Sequence, residues 1–249
     1  MKTILTVVLV VAKSFAISVV ASADPRASQA PPGQRVADVP MTPTDPAFTR
    51  FILEHAVEIE VRNTDGGVVR KGAGVISSDS GYVMTTLDVV VGGTEYLVAG
   101  PAVIGGARVA KALAVSKSGQ IAVLQLTGKA PAVRTPVRSD SPPQAGDSIY
   151  ATPPVGGSEV PLQAGKIVTL KTERDGAVVL EVNFRNTAGA ALYNSRGALV
   201  AIVRGSEHGR PSNRAVFVPE RMPGEWVLYF PARVGDPLAR KPVSRVPVQ

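Results

Sequence analysis

The sequence predicts an all-β protein. The chain has 249 residues, of which 45% are hydrophobic, and it contains 24 glycines. Short apolar runs rich in valine alternate with turn signals such as Asp65-Gly66-Gly67 and Ser80-Gly81. This length is enough to bury one sizeable domain or a unit of two barrels.

The first predicted element is a short helix. Asp45 belongs to the residue types that cap helix N-termini, and Pro46 suits the first helical position. We therefore expect a helix that begins at Pro46 and ends near Glu54.

Strands follow the helix in two sets of six. The first set is Val57–Asn63, Gly74–Ser78, Tyr82–Thr86, Glu95–Ala99, Arg108–Val115 and Ile121–Leu126. After a proline-rich connection, Ala130–Pro143, the second set is Ser148–Ala151, Gly165–Thr172, Val178–Val182, Leu192–Tyr193, Leu199–Val203 and Ala215–Val218. Two closed barrels would leave such short strands without exposed edges.

The N-terminal segment, residues 1–23, has the pattern of a secretory signal peptide. Its start is basic, residues 4–12 are mostly apolar, and Ala-Ser-Ala ends it as a cleavage site. Lys13 interrupts the apolar stretch, whereas a membrane helix needs about 20 consecutive apolar residues. We expect cleavage after Ala23 and a periplasmic or secreted protein, and an uncleaved anchor remains an alternative.

Two further segments lack an apolar pattern. Residues 24–44 are rich in proline and alanine and predict a disordered leader, and residues 231–249 predict a basic disordered tail. The folded domain is expected over residues 45–230. Loss of Lys2 and Lys13 with the signal lowers the formal charge from +7 to +5. We expect membrane contact only through the signal segment or weakly through the tail.

The composition excludes several kinds of site. The chain has no cysteine, which excludes disulfides and thiolate chemistry. Its two histidines, His55 and His208, are too few for catalytic zinc, which usually takes three protein ligands. The sequence contains no run of basic residues interleaved with aromatic residues, so it gives no indication of nucleic-acid binding. We predict no metal and no other cofactor.

Three motifs bear on function, and each resembles a motif of the trypsin-like serine proteases in their Deg/HtrA branch. The segment at 185–202 reads RNTAGAALYNSRGALVAI and resembles that family's Gly-Asn-Ser-Gly-Gly nucleophile loop. The segment at 72–90 reads GAGVISSDSGYVMTTLDVV and resembles its histidine motif, and QIAVLQL at 120–126 resembles its Asp-Ile-Ala motif. VFVP at 216–219 resembles its Phe-Ala-Ile-Pro.

The resemblance extends over about residues 46–222. It implies two packed six-stranded β-barrels preceded by a short helix. A PDZ domain, which is frequent in this branch, does not fit in the remaining residues and is not expected.

The resemblance also implies that all three catalytic positions are substituted. Ala188 stands at the serine position, Asp88 at the histidine position and Gln120 at the aspartate position. In the Ser-His-Asp mechanism the imidazole removes the serine proton and the aspartate orients the imidazole. Alanine has no proton to give, a carboxylate is a poor base near neutral pH, and glutamine is neutral. The resemblance therefore implies a pseudoprotease.

A second alignment stays open. A shift of one residue places Thr187 at the nucleophile position, but it needs a one-residue insertion before Leu192. In this register, too, position 88 carries an aspartate where the family has a histidine, so the general base is missing.

The resemblance implies where a ligand would lie. The remnants of the oxyanion loop are Asn186, Thr187, Ala188 and Gly189, and the peptide-binding strand is Ala201, Ile202, Val203, Arg204 and Gly205. We therefore expect an inactive protease homologue that binds a polypeptide partner or modulates another envelope protein. The alternatives are a hydrolase that uses Thr187 and a scaffold that acts through its outer surface or tail. The oligomeric state is not predicted.

Overall fold

The structure, a computed structural model, consists of short strands and two short helices. It describes residues 43–116, 120–129, 131, 133, 135–139, 141–152, 162–205 and 211–219, and the backbone alone of 226–228 and 241–242. The predicted signal segment, the leader up to residue 42 and most of the predicted tail lie outside the described residues. Neither helix in these ranges has the length and the apolar character that a membrane span requires.

Helix α1 (Pro46–His55) begins where the sequence predicts. The Asp45 side chain accepts a hydrogen bond from an amide of the first turn at 2.7 Å and caps the helix. The helix ends one residue later than predicted. Phe48, Ile52 and His55 share one helical face, and all three are buried.

The first barrel contains six strands. They are β1 (Ala56–Arg62), β2 (Val68–Ile76), β3 (Tyr82–Thr86), β4 (Glu95–Ala99), β5 (Arg108–Ser116) and β6 (Ile121–Leu126). The antiparallel order runs from β4 through β1, β2 and β3 to β6, and β5 pairs with both β6 and β4, so the sheet closes. Buried side chains such as Ile59, Val98 and Leu124 fill its interior. Helix α2 (Leu87–Val90) lies between β3 and β4.

The second barrel also contains six strands. They are β7 (Ser148–Ala151), β8 (Gln163–Thr172), β9 (Val178–Asn186), β10 (Ala191–Asn194), β11 (Leu199–Val203) and β12 (Ser212–Phe217). The order β10-β11-β12-β9-β8-β7 closes through the pairing of β7 with β10. Ile149, Leu180 and Leu192 belong to its buried interior.

A third apolar core joins the two barrels. It contains Met84 from β3, Ile121 from β6, Tyr193 from β10 and Val216 from β12, and helix α1 contributes Phe48. All five side chains are nearly inaccessible to solvent. Burial of this much apolar surface stabilises the contact between the barrels.

The described strands agree with the predicted ones within a few residues, and β3, β4, β6, β7 and β11 have the predicted bounds. Strand β2 begins six residues early, at Val68. The Asn63 side chain accepts hydrogen bonds from the amides of Asp65 and Gly67 and closes a tight turn before it. Strand β9 continues to Asn186, beyond the predicted end.

Two short strands were not predicted. Strand β13 (Trp226–Leu228) pairs with β5, and β14 (Lys241–Pro242) pairs with β13. Strand β5 is longer than its ladder with β4, which ends at Ala110. Residues 114–116 of β5 therefore have no partner in β4, and β13 pairs with them there. Strand β14 lies within the segment predicted to be a disordered tail. For the rest of 231–249 disorder remains a prediction.

Candidate functional site

The turn between β9 and β10 carries the predicted nucleophile position. The amide of Ala190 donates to the carbonyl of Thr187 at 3.0 Å, and Gly189 adopts a φ of +86° within this turn. The carbonyl of Ala188 accepts a hydrogen bond from the amide of Ala73 in β2 at 2.8 Å. The Ala188 methyl group packs against the core of the first barrel. The turn thus joins the two barrels and presents a methyl group at its centre.

Gly189 is required by packing. A side chain at this position would overlap the carbonyl of Ala73, which also accepts a hydrogen bond from the buried Thr85 hydroxyl at 2.7 Å. The amide of Gly189 donates to the carbonyl of Val203 at 2.8 Å. The turn therefore needs glycine for its backbone conformation and for the close approach of the barrels.

Asn186 is a buried polar residue at the end of β9. Its side-chain amide donates to the carbonyl of Thr152 at 2.9 Å and to the side chain of Gln163 at 2.8 Å. Its side-chain oxygen accepts from the amide of Thr187 at 2.7 Å. The side chain thus anchors the turn to the ends of β7 and β8, which the sequence analysis did not anticipate.

Asp88 lies on α2 at the predicted histidine position. Its carboxylate accepts a hydrogen bond from the amide of Gly205, at the end of β11, at 3.0 Å. This contact links the first barrel to the second across 117 positions of sequence. The Asp88 carboxylate is half-buried and hydrogen-bonded to the backbone of the other barrel.

Gln120 immediately precedes β6 at the predicted aspartate position. Its carbonyl accepts a hydrogen bond from the amide of Leu87 at 2.7 Å, which fixes the start of α2 beside Asp88. Among the residues other than glycine in the described ranges, Gln120 alone has a positive φ, at 51°. Aspartate and asparagine adopt this region more readily than glutamine.

The three positions meet at the junction of the barrels. Gln120 and Asp88 are linked through the start of α2. A side-chain carbon on Gly72 would lie 2.7 Å from Val89 and 3.3 Å from the carbonyl of Ala188, so α2 and the turn flank this glycine together. The three predicted catalytic positions are occupied by alanine, aspartate and glutamine.

The predicted peptide-binding strand divides into two parts. Residues 201–203 are internal to the closed barrel, where β10 and β12 pair with β11 on either side, and they are fully buried. They have no open edge for a peptide. Only Arg204 and Gly205 lie beyond the β10 ladder and are partly exposed, so an available strand end is restricted to them.

Arg204 is held by a carboxylate that sequence reasoning missed. One of its guanidinium nitrogens lies 3.0 and 3.1 Å from the two carboxylate oxygens of Glu173, and Arg214 contacts the first of these oxygens at 3.0 Å. The backbone amide of Arg204 donates to the carbonyl of Arg214 at 2.8 Å. No local pattern identifies Glu173, because it lies 31 residues away from Arg204.

Other ionisable groups lie in the apolar cores. His55 is buried at the end of α1, with Nδ1 2.6 Å from the carbonyl of Phe51 and its ring against the Phe51 ring. Burial raises the pKa of the Tyr193 hydroxyl above its ordinary range. In the ranges that the structure covers, histidine, aspartate and glutamate form no cluster of three that could hold a metal. His208 lies outside these ranges.

The fold is similar to solved structures of HtrA-type proteases. The HtrA-type protease AlgW with a tripeptide is 21% identical, with a TM-score of 0.56, and the match covers 70% of this chain and 58% of that chain. A serine-to-alanine variant of AlgW, also with a tripeptide, gives the same identity and coverage with a TM-score of 0.55. The serine endoprotease from Yersinia pestis is 24% identical, with a TM-score of 0.51 and coverage of 73% and 64%.

This chain therefore spans less than two thirds of the length of each of these structures. No protein-family model and no curated protein matches the sequence. The closed six-stranded barrels and the similar structures confirm the predicted fold class. The chain has the trypsin-like double-barrel fold of the HtrA-type serine proteases.

Proposed function

We propose that this protein is a catalytically inactive homologue of the trypsin-like proteases that binds a polypeptide partner in the cell envelope. The observation that carries the proposal is the side-chain chemistry at the junction of the barrels. Ala188 provides no nucleophile, and the carboxylate of Asp88 already accepts a backbone hydrogen bond. Gln120 cannot balance an imidazolium charge.

The loss in rate that these substitutions imply is large. Removing a triad serine or histidine in subtilisin lowers kcat by about 2 × 10⁶. For an enzyme of typical kcat, about 10 per second, this leaves roughly one turnover every two days. Such a rate is too low for a useful protease.

Retention of the turn and of the strand end supports a binding function. Gly189 keeps its conformation and Asn186 keeps the turn anchored, although Ala188 between them is inert. Arg204 and Gly205 lie partly exposed at the end of β11, where the resemblance implies peptide binding. A polypeptide in extended conformation is the class of partner that suits a strand end.

Partner binding is tested by in-cell crosslinking of the tagged full chain, followed by mass spectrometry of the captured proteins. Arg204→Glu places a second carboxylate against Glu173 and displaces the strand end. Arg174→Glu makes the same charge change at an exposed position of the neighbouring turn and serves as the control. We expect one reproducible partner that is captured by the wild type and the control and lost in Arg204→Glu. Capture that is equal in all three proteins would contradict binding at the strand end.

Export is a separate part of the proposal. It rests on the signal pattern of residues 1–23, which lie outside the described residues. We expect the mature protein to begin at Asp24 and to fractionate with periplasmic or secreted proteins. N-terminal sequencing of the purified protein checks this, and a mature chain that retains Met1 in the cytoplasmic fraction would contradict it.

A further inference from the structure

We propose that Asp88 is an internal competitor for the polypeptide-binding strand end, a clasp that a partner must displace. This inference rests on the proposed binding function and specifies how the same site is regulated. The clasp is defined as the hydrogen bond between the Asp88 carboxylate and the amide of Gly205.

The backbone amides near the strand end differ in whether the barrel ladders already pair them. Residues 201–203 are paired on both sides, and the amide of Arg204 donates to Arg214. The first amide beyond these ladders is that of Gly205. A polypeptide that extends the sheet here would have to present a carbonyl to that amide.

That amide is already occupied. The distance of 3.0 Å between the amide nitrogen of Gly205 and the carboxylate of Asp88 is a normal hydrogen bond. Hydrogen bonds with an ionised acceptor are about twice as strong as neutral ones. A peptide carbonyl is a neutral acceptor, so it binds this amide less well than Asp88 does.

The close approach of α2 to the strand end is built into the sequence. A side-chain carbon on Gly205 would lie 3.0 Å from the β-carbon of Asp88, which is tighter than ordinary contact. Glycine at this position therefore lets the carboxylate reach the amide. The carbonyl of Gln120 holds the start of α2 and keeps Asp88 in place.

The clasp acts between the two barrels. Asp88 lies on α2 of the first barrel, and Gly205 lies two residues beyond the end of β11 in the second. A rotation of the Asp88 side chain frees the amide without separating the barrels, because the interbarrel core and the turn at Gly189 stay in place. The strand end can therefore open while the fold persists.

The test is a binding titration with a library of fluorescein-labelled ten-residue peptides, followed by fluorescence anisotropy. Asp88→Ala removes the competitor and Asp88→Asn weakens it by making the acceptor neutral. Asp65→Ala removes a carboxylate of the same charge from an exposed turn and serves as the matched control. Circular dichroism and thermal unfolding verify that all variants are folded.

We expect Asp88→Ala to bind library peptides about fivefold to tenfold more tightly than the wild type, because a peptide carbonyl then displaces water from the Gly205 amide and no longer has to displace a charged acceptor. Asp88→Asn should lie between the two, and Asp65→Ala should bind like the wild type. Binding that is detectable only after Asp88→Ala also supports the clasp.

Two results overturn the proposal, and they differ in what they say of the proposed function. Equal affinity of the wild type and Asp88→Ala for the same peptides refutes the clasp and leaves peptide binding intact. Failure of folded Asp88→Ala to bind any library peptide refutes the clasp and also argues against peptide binding at the strand end. Amide hydrogen exchange at Gly205 gives an independent readout, since loss of the clasp should accelerate exchange there.

Discussion

The two parts of the barrel junction are fixed by different kinds of contact. The turn at residues 186–190 is held by backbone hydrogen bonds to Ala73 and Val203 and by the buried side-chain amide of Asn186. It also contains Gly189, where the packing leaves no room for a side chain. The strand end at Arg204 and Gly205 is held largely by two carboxylates. The turn is fixed by packing, and the strand end is held by side chains that can exchange partners.

This difference separates the structural requirements of the fold from those of catalysis. A serine and an alanine at position 188 differ by one hydroxyl, and the backbone contacts of Ala188 do not depend on it. Gly189, one residue later, has no room for a side chain. The backbone of this turn therefore depends on Gly189 and not on a hydroxyl at position 188.

The largest expected effect tests the rigidity of the turn. Gly189→Ala forces a side chain into the Ala73 carbonyl at a φ of +86°, and we expect it to lower the free energy of unfolding by about 3 kcal/mol or more. The matched control is Gly176→Ala, which has a φ of +84° but no atom within 4 Å of the added carbon. It should cost only about 1 kcal/mol. Equal losses in urea unfolding would show that backbone conformation alone, without the overlap, requires glycine in the turn.

The next effect concerns the anchor of the turn. Asn186→Ala removes a buried side-chain amide and leaves the carbonyl of Thr152 without this donor. We therefore expect the free energy of unfolding to fall by about 2–3 kcal/mol. The control is Asn183→Ala, which removes an exposed acceptor of the Lys166 amide and should cost less than about 1 kcal/mol. A loss below that of the control would contradict the anchoring role.

A smaller effect tests the core beneath the turn. The Tyr193 hydroxyl is buried and, in the described structure, has no hydrogen-bond partner. Tyr193→Phe should therefore stabilise the protein by about 1 kcal/mol in thermal or urea unfolding. A loss of stability of similar size would indicate that the hydroxyl is satisfied in solution.

The same substitution has a predicted pH dependence. Because burial raises the pKa of Tyr193, the folded state keeps this proton at a pH where the unfolded state releases it. The unfolded state then binds fewer protons, so stability falls as pH rises above the unfolded pKa of about 10. The advantage of Tyr193→Phe should grow by up to about 1.4 kcal/mol per pH unit in that window. An advantage that is constant from pH 9 to pH 11 would contradict the assignment.

The smallest effect concerns the backbone of Gln120, at the predicted aspartate position. Gln120→Asn should stabilise the protein by about 0.5 kcal/mol, because asparagine tolerates a φ of 51° better than glutamine does. Gln125→Asn in β6 is the control and should give no gain, since an ordinary strand disfavours asparagine. No difference between the two variants would show that Gln120 is not strained.

Much of the fold could be predicted because its signals are local. Asp45-Pro46 marks the helix start, and turn glycines separate short apolar runs, so the two sets of six strands were found within a few residues. Strands β13 and β14 were missed because their pairing depends on an edge left by β5, which no local pattern encodes.

The sequence predicts the positions of a site, and their role remains a prediction, whereas the contacts of these positions could not be predicted. The spacing of the three motifs identifies Asp88, Gln120 and Ala188, which the fold brings to the junction of the barrels. The hydrogen bonds that Gly205 donates to Asp88 and Arg204 donates to Glu173 join residues 117 and 31 positions apart. Such contacts follow from how the barrels and hairpins pack, and the sequence pattern carries no sign of them.

The most direct test of the proposed catalytic inactivity is labelling of the purified full chain with a fluorophosphonate probe, with trypsin as the positive control. We expect no labelling of the wild type under conditions that label trypsin completely, because Ala188 has no hydroxyl and Asp88 stands at the predicted position of the base. Stoichiometric labelling that Thr187→Ala abolishes would contradict it and establish an active hydrolase in the shifted register.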